Sequence, residues 1–381
     1  MSDNQATESK IKVLEISSGV FGVAGGPTMV WNWYCNWNAV QVDFYCLLQP
    51  SDYYIQKIAT NGGSCYIRDG KKNKLRRKIA EWRQLKKILR GNFYDCVHIH
   101  REDACNNLVI CLLAKNHVKK VIVHAHNTST GSAIKRILHT ICKPFLCSSK
   151  IVALACSNDA AAWLFPSKII DEKRYTVIKN GIDAQRFSFD PAVRDKARTE
   201  LGISGKFVIG HVGRFAYQKN HTFLIDIFAE VHKKCPEAVL LLIGDGDASE
   251  NLVELIKKKI DVLGLSESVI FYGNTDRVNE MYQTMDCFVF PSNYEGLGIV
   301  AIEAQAAGLK TLCSDQVPQD AKITELLEYL PLSDPPEKWA DKILTYKEYK
   351  RENMQQNIID AGYDIKQSAK KLEEIYLASR C

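Results

Sequence analysis

Short apolar runs rich in β-branched residues alternate with amphipathic stretches of helix length along almost the whole of this 381-residue chain. Such runs include KVLEIS, VDFYCLL, CVHIH and VIVHAH in the first half, and FVIGHVG, VLLLIG, VIFYG and CFVFPS in the second. The helix-length segments between them include residues 74–90, 104–115, 132–147, 220–234, 249–263 and 337–347. Strand–helix alternation with near-continuously apolar strands is typical of parallel sheets covered by helices on both faces. The sequence therefore predicts an α/β fold.

About a dozen strands are too many for one open sheet, and the length also favours more than one domain. A charged segment at residues 180–206, which contains Asn-Gly and Pro, precedes the fresh strand FVIGHVG. Both halves of the chain begin with a strand, a glycine-bearing loop and a helix. We predict two similar doubly wound domains that face each other across a cleft, residues 1–185 and 186–360. A C-terminal helix within 361–381 packs on the second domain or returns to the first.

Composition argues against several other classes of protein. The first ten residues are polar and mixed in charge, unlike a secretory signal, and no apolar run reaches the roughly 18 residues of a membrane-spanning helix. None of the 13 cysteines stands in a C-x-x-C pair, so zinc ligation is not indicated. Several lie inside apolar runs, where a reduced cysteine acts as a small hydrophobe. We expect a cytoplasmic protein with free cysteines.

Two loops that follow predicted strands carry charged residues. In HVGRFAYQKNH, the cations Arg214 and Lys219 stand beside Gly213 and a helix start, which favours either a diphosphate site or a solvated basic loop. In GDGD, Asp245 and Asp247 imitate a D-x-D metal motif. The alternating glycines mark a tight turn, and acids are common turn formers and helix caps there. We predict no metal at this loop.

A third loop, NYEGLGIVAIEAQAAGL, places Glu295 before a Gly-Leu-Gly turn and Glu303 inside the apolar helix that follows. Carboxylates that accept ribose hydroxyls are a known feature of nucleotide sites. An unpaired acid in so apolar a helix would be unfavourable, and we expect a bound ribose to supply the partner of Glu303.

These motifs, together with NGID, resemble in order and spacing the retaining glycosyltransferases of family 4, which have two Rossmann-like domains in the GT-B arrangement. Within that family the chain is similar to bacterial capsular and exopolysaccharide enzymes. The resemblance extends over essentially the whole chain and is strongest from about residue 150 to 347. It implies transfer of a hexose from a nucleoside diphosphate sugar, with a uridine nucleotide expected, and it implies no metal or cofactor.

The resemblance also implies roles for individual residues of the second domain. Arg214 and Lys219 would bind the donor diphosphate and stabilise the leaving nucleoside diphosphate, beside Gly213. Glu303 would hold the ribose, and Glu295 the donor sugar. The remaining contacts would come from the amides of Gly296, Leu297 and Gly298 to the sugar, and from Asn274 and Val278 near the base.

In the first domain the resemblance implies that Gly25 and Gly26 direct amides towards the phosphates and that His126 faces the reacting sugar. The GGPT loop departs from many relatives, which have Ala-Glu or Val-Glu where this chain has Pro-Thr. His124 and His126 both lie at the end of one strand, two residues apart, so either could be the histidine of the site.

The resemblance implies a reaction that keeps the anomeric configuration, which is usually ascribed to same-face attack, and the sequence agrees in that no acid stands out as a nucleophile. The acceptor would be a saccharide or a lipid-linked sugar. A sugar-nucleotide 2-epimerase shares the architecture, but it would need grouped acids and histidines beyond His124 and His126. An inactive partner subunit is the other alternative, although such a chain would be expected to have lost Glu303, Arg214 or Lys219.

Residues 71–90 contain ten Lys and Arg against one acid, Glu81. Apolar residues recur there at helical spacing: Leu75, Ile79, Trp82, Leu85 and Leu89. We expect this apolar face to pack on the sheet. The charged face would then meet either water or anionic lipid at the inner face of the cell membrane. Nucleic-acid binding is not indicated, because the charge is confined to one helix.

Overall fold

A computed structural model of the chain describes residues 10–17, 21, 25–70, 73–127, 133–246 and 251–378. The chain forms two compact units, with the second running from Ile182 to Asp364 and the first containing the segments before and after it. The sequence boundary after residue 185 falls inside a short helix of the second unit. Ile182 forms an isolated bridge with Asp364, so the two ends of the second unit lie side by side.

The first unit contains a seven-stranded parallel sheet in the order β3-β2-β1-β4-β5-β6-β7. Its strands are β1 (Ile11–Ile16), β2 (Val40–Cys46), β3 (Cys65–Ile67), β4 (Cys96–Ile99), β5 (Lys120–Ala125), β6 (Ile151–Ala155) and β7 (Tyr175–Val177). The helices of this unit that precede residue 182 are α1 (Gly25–Tyr34), α2 (Asp52–Thr60), α3 (Lys74–Gly91), α4 (Ala104–Ala114), α5 (Ala133–Cys142), α6 (Asn158–Leu164) and α7 (Ser167–Asp171).

The second unit contains a six-stranded parallel sheet in the order β10-β9-β8-β11-β12-β13. Its strands are β8 (Phe207–Val212), β9 (Ala238–Ile243), β10 (Val269–Gly273), β11 (Cys287–Phe290), β12 (Lys310–Ser314) and β13 (Leu327–Leu330). Its helices are α8 (Ala184–Phe187), α9 (Pro191–Glu200), α10 (His221–Lys234), α11 (Leu252–Val262), α12 (Val278–Thr284), α13 (Ile299–Ala306), α14 (Pro336–Leu344) and α15 (Gln355–Asp360).

The sheets form because their central strands are mostly apolar, with a few buried polar residues such as Glu15 and His98. Every residue of β4 and β9 is buried, as expected for strands with helices on both faces. Each sheet contributes to two apolar clusters, one on either face.

The last helix, α16 (Ile365–Leu377), belongs to the first unit. It packs on α1, where the Trp33 indole donates a hydrogen bond to Ser368 Oγ (3.0 Å) and the Trp37 indole donates to the Ala369 carbonyl (3.0 Å). Glu373 accepts hydrogen bonds from the backbone after α1. The first unit is therefore assembled from both ends of the chain.

The helix α3 corrects one prediction. Leu85 and Leu89 are buried as expected, but Leu75 and Trp82 are 68% and 40% exposed, and Ile79 is exposed as well. The C-terminal half of α3 makes the apolar contacts with the unit, whereas the N-terminal half is held by polar contacts such as the one from Arg101 to Glu81 (2.8 Å). The expectation that its whole apolar face packs on the sheet was wrong.

A second correction concerns residues 132–147, which were predicted as one helix. The helix α5 ends at Cys142, and a 3₁₀ turn, Lys143–Phe145, follows it. Pro144 has no backbone N–H to continue an α-helix, which accounts for the stop.

The twelve cysteines within the described residues are all free. No helix in the described part of the chain is both long and apolar enough to cross a membrane.

Candidate functional site

The loops that follow the central strands of the second unit lie side by side at the carboxyl ends of these strands. Gly213 N donates a hydrogen bond to the Ile243 carbonyl (2.9 Å), and Gly244 N donates to the Gly273 carbonyl (3.0 Å). A Cβ at Gly244 would lie 2.2 Å from the Gly213 carbonyl oxygen, so glycine is required for this approach. Ligands of open α/β sheets bind beyond the carboxyl ends of the strands, which is where these loops lie.

Contacts with three neighbouring residues hold the side chain of Lys219 beside these loops. Its Nζ lies 2.8 Å from Glu295 Oε1 and 4.5 Å from the centre of the Phe290 ring. Its aliphatic stem passes Gly213 so closely that a Cβ there would come within 3.1 Å of it. The structure thus brings together three of the predicted residues, Gly213, Lys219 and Glu295.

The loop between β11 and α13 is hydrogen-bonded to the segment just before Lys219 and to the end of β12. Asn293 Nδ2 donates a hydrogen bond to the Tyr217 carbonyl (2.7 Å), and Ser314 Oγ donates to the Ser292 carbonyl (2.6 Å). Gly298 has a φ of 80°, which lets the chain turn into α13. The amides of Gly296, Leu297 and Gly298 donate to no acceptor among the described residues, so three N–H groups at a helix start are available to a ligand.

Glu303 lies on α13 and has a partner that the sequence did not indicate. Its Oε2 accepts a hydrogen bond from the Tyr282 hydroxyl (2.9 Å). Burial raises the pKa of Glu303 to about 7, although the Tyr282 hydrogen bond and the cations Arg186 and Lys219 oppose the rise. Tyr282 thus satisfies one oxygen of this acid, and the expected contact of Glu303 with a ribose stays a prediction.

Arg186 is a further residue that the sequence analysis missed. Its guanidinium donates hydrogen bonds to the Asp276 carbonyl (2.5 Å) and to Asn279 Oδ1 (3.1 Å). It therefore fixes the loop that contains Asn274 and the start of α12 at Val278. No spacing or motif in the sequence links residue 186 to that loop.

Arg214 follows β8 and its side chain is exposed. Within the described ranges it makes no hydrogen bond or ion pair. Asn274 is also exposed, whereas Val278 is partly buried. In the GDGD loop, Asp245 Oδ1 accepts a hydrogen bond from Gly246 N (2.8 Å), as a turn former does, and Asp247 lies outside the described residues.

The first unit holds a buried network centred on Glu15 of β1. Glu15 Oε1 accepts a hydrogen bond from the Tyr376 hydroxyl of α16 (2.6 Å), and Glu15 Oε2 lies 2.8 Å from His100 Nε2. His100 Nδ1 lies 2.7 Å from His126 Nε2. His98 Nδ1 is 2.6 Å from the same tyrosine hydroxyl. The network thus joins His126 to a carboxylate that the sequence analysis did not single out.

Charges in this network follow from burial and contact. Burial alone would raise the pKa of Glu15, but His98 and His100 more than offset it and hold the pKa well below its ordinary value. Burial lowers the pKa of His100 to about 4 and that of His126 well below its ordinary value. An ionised Glu15 only accepts hydrogen bonds, so neutral His100 donates from Nε2 and accepts at Nδ1. His126 then donates from Nε2.

His124 is fully buried on β5 and stacks on Trp33, with ring centres 5.3 Å apart. Its nitrogens lie within 4.8 Å of ligand atoms of His98 and His100, a spacing from which a metal could be bound. Both nitrogens of His100 take part in hydrogen bonds, whereas neither ring nitrogen of His124 has a hydrogen-bond partner among the described residues. Gly25 and Gly26, the other predicted residues of this unit, are the first residues of α1.

The Tyr376→Phe substitution is expected to lower the thermal midpoint of the first unit by several degrees. It removes a hydrogen bond to a buried charge, worth about 1.5–3 kcal/mol, and 1 kcal/mol corresponds to about 2–4 °C in a unit of this size. Differential scanning calorimetry would measure the shift. Tyr53→Phe, at an exposed tyrosine of the same unit, is the control, and equal midpoints for the two variants would contradict the role of Tyr376.

Comparison with known proteins decides the family. Residues 193–375 match the family model for glycosyl transferases group 1, and residues 38–186 match the model for glycosyltransferase family 4. A protein of Bacillus subtilis strain 168 assigned as the glycosyltransferase EpsF is 30% identical over 97% of each chain. The chain is a glycosyltransferase of the GT-B fold, similar to bacterial exopolysaccharide enzymes.

Two further matches are a curated relative of this glycosyltransferase and a solved structure with the same fold. The Escherichia coli UDP-Gal:α-D-GlcNAc-diphosphoundecaprenol α-1,3-galactosyltransferase is 25% identical over 61% of this chain and 60% of its own. The crystal structure of HepE from Anabaena in complex with UDP superposes with a TM-score of 0.74 at 17% identity, over 97% of this chain and 100% of HepE. The predicted family and the predicted α/β fold with parallel sheets are confirmed. The glycosyltransferase relatives also support a role in polysaccharide or lipopolysaccharide synthesis.

Proposed function

We propose that this glycosyltransferase moves a hexose from a uridine diphosphate sugar to a saccharide or lipid-linked acceptor, with retention of configuration and without a metal. The reaction would serve capsule or exopolysaccharide synthesis at the inner face of the cell membrane. The observation that carries the proposal is the fixed Lys219–Glu295 pair beside the free amides of residues 296–298. One cation, one carboxylate and three N–H groups meet at the end of the sheet where a sugar diphosphate would bind.

Each group fits one part of such a donor. The Lys219 ammonium and the exposed Arg214 guanidinium suit the diphosphate. The Glu295 carboxylate suits the sugar hydroxyls, and the free amides suit oxygens of the sugar or phosphate. Glu303, on the same helix as these amides, suits the ribose hydroxyls. The UDP bound to HepE and the UDP-galactose donor of the Escherichia coli relative support uridine as the base.

The proposed transfer balances within the two substrates. The acceptor hydroxyl oxygen bonds to the anomeric carbon, and the bond from that carbon to the diphosphate breaks. The hydroxyl proton passes to an oxygen of the departing diphosphate on the same face of the sugar. Arg214 and Lys219 stabilise the negative charge that develops on this leaving group, which is the task a metal performs in other transferases.

A panel of nucleotide sugars would test the proposal without knowledge of the acceptor. The purified protein is expected to hydrolyse uridine diphosphate hexoses slowly, to release uridine diphosphate and the unchanged sugar in its original anomeric form, and to do so in the presence of EDTA. Proton NMR of the fresh product would report the configuration. Release of a 2-epimer would favour the epimerase alternative, and no release from any donor would favour an inactive partner subunit.

The membrane location in this proposal draws on α3. Its exposed basic residues, among them Arg76, Lys78 and Arg83, lie on the same helix as the exposed Leu75, Ile79 and Trp82. A helix that exposes apolar groups among cations is suited to the headgroup region of an anionic membrane. The diphosphoundecaprenol acceptor of the Escherichia coli relative supports a lipid-linked acceptor for this chain.

A further inference from the structure

The first unit exposes a ridge of large apolar side chains on α5 and the turn after it. Ile134, Ile137 and Ile141 are 72%, 62% and 60% exposed, and Leu138 and Phe145 are 45% and 64% exposed. The four residues of α5 recur at intervals of three and four, so they lie on one face of the helix. We call these five residues the α5 ridge. Clustered apolar groups of this size usually mark a surface that another molecule covers.

The neighbouring helix α4 extends this apolar surface. It contacts α5 on one side and α3 on the other. Val109 and Leu112 of α4 are 45% and 51% exposed. The exposed apolar residues of α3 and of α5 thus lie on two helices that both contact α4.

The charged side chains within residues 133–145 all have the same sign. Residues 133–145, AIKRILHTICKPF, contain Lys135, Arg136 and Lys143 and no acid. The only other titratable side chain with a nitrogen there, His139, is buried and bonded to the Trp163 carbonyl. Residues 133–145 thus combine apolar side chains with cations and contribute no acid of their own.

We propose that the α5 ridge inserts into the boundary between headgroups and acyl chains of a bilayer that contains anionic phospholipids, and so holds the first unit at the membrane. The inference deepens the proposed function, since it rests on a lipid-linked acceptor and names the element that enters the lipid. Amphipathic helices with Lys and Arg beside a strongly apolar face bind membranes in this way. The cations stay at the headgroups while the apolar side chains are buried.

Charge favours this occupant over a second copy of the chain. A symmetric dimer through the α5 ridge would place Lys135, Arg136 and Lys143 of one copy close to the same cations of the other, and residues 133–145 offer no acid to pair them. An anionic lipid surface provides the opposite charge to all of them. The ridge and the basic segment of α3 then act together, one through apolar insertion and the other through charge.

Vesicle flotation of the full-length protein tests the inference. The probes are vesicles of phosphatidylcholine alone and of phosphatidylcholine with phosphatidylglycerol, at low and high salt. The wild-type protein is expected to float with the anionic vesicles and less with the neutral ones. The Ile137→Ser/Ile141→Ser double variant should have a partition coefficient at least about tenfold lower, because two isoleucines no longer leave water.

The matched control is Leu255→Ser/Val262→Ser on α11 of the second unit. Leu255 is 61% exposed and Val262 is 86% exposed. It should float as the wild type does. Equal flotation of the ridge variant and the wild type would overturn the inference, as would wild-type protein that does not float. A wild-type dimer in light scattering that the ridge variant converts to a monomer would also overturn it, because a second copy would then cover the ridge.

Donor hydrolysis separates this inference from the proposed function. Both double variants are expected to release uridine diphosphate at the wild-type rate, since neither pair lies among the residues proposed to bind the donor. Hydrolysis without flotation would remove the α5 ridge proposal and the membrane location, and would leave the proposed transfer reaction standing. Flotation without hydrolysis of any donor would remove the proposed function and leave the ridge as a membrane surface.

Discussion

The Arg214→Ala variant is expected to lose about a hundredfold or more in kcat while it remains folded. The reason is electrostatic, because negative charge grows on the leaving diphosphate as the bond to the sugar breaks. Removal of one preorganised group that stabilises such charge typically costs 10²–10³ in kcat. Lys219 is already paired with Glu295 at 2.8 Å, whereas Arg214 has no ion-pair partner in the described part of the protein. Arg214 is thus the cation with its full charge available to the diphosphate.

The comparison of kcat with kcat/KM tells which state Arg214 acts on. A transition-state contact lowers both by the same factor, whereas a contact made equally to bound donor raises KM alone. Arg214→Lys should recover only part of the rate, because a lysine offers a point charge and not a planar fork. Lys258→Ala, at an exposed cation of α11, is the control. Near-normal kcat in folded Arg214→Ala would refute the assignment.

The Glu303→Ala variant is expected to weaken binding of uridine diphosphate by about tenfold to a hundredfold. An ionised carboxylate that accepts hydroxyl hydrogen bonds contributes about 1.5–3 kcal/mol per bond, and 1.4 kcal/mol is a tenfold change in affinity. Isothermal titration calorimetry would measure it. Glu254→Ala, at an exposed acid of α11, should bind as the wild type does. Unchanged affinity in Glu303→Ala would exclude the ribose contact.

The same residue predicts a pH dependence. Because burial raises the pKa of Glu303 to about 7, the carboxylate is ionised above that pH and protonated below it. Only the ionised form accepts two hydroxyl groups, so affinity should be level above pH 7 and fall as the pH drops below it. Tyr282→Phe removes a hydrogen bond that lowers this pKa, and the fall should then begin at a higher pH. A profile that is the same in Glu303→Ala and wild type would assign the titration to another group.

Local patterns in the sequence were sufficient to predict the fold. Apolar strands such as CVHIH and VLLLIG are recognisable because a parallel strand buried on both faces has to be apolar along its whole length. The limits of the helices were harder to predict. The spacing of Leu75, Ile79 and Trp82 indicates a helix face, but it does not tell how far along the helix the rest of the unit extends.

Residues of the candidate site could be proposed from the sequence, but the contacts between them could not. Lys219 and Glu295 were each named, yet their ion pair joins residues 76 positions apart and depends on how two loops meet. Tyr282 and Arg186 were missed because neither lies in a motif, and their roles come from the packing of α12 and α8 against the site. Glu15 was missed for the same reason, since it is one acid inside an apolar strand and its histidine partners come from other strands.

The membership of α16 in the first unit bears on the order in which the protein folds during synthesis. Residues 182–364 leave the ribosome before α16 does, so the whole second unit can fold while the first still lacks its last helix. Until then Glu15 has no Tyr376, and Trp33 and Trp37 have no hydrogen-bond acceptor from α16. A nascent chain stalled before residue 365 would therefore display an unfinished N-terminal half to chaperones, and synthesis of α16 would complete it.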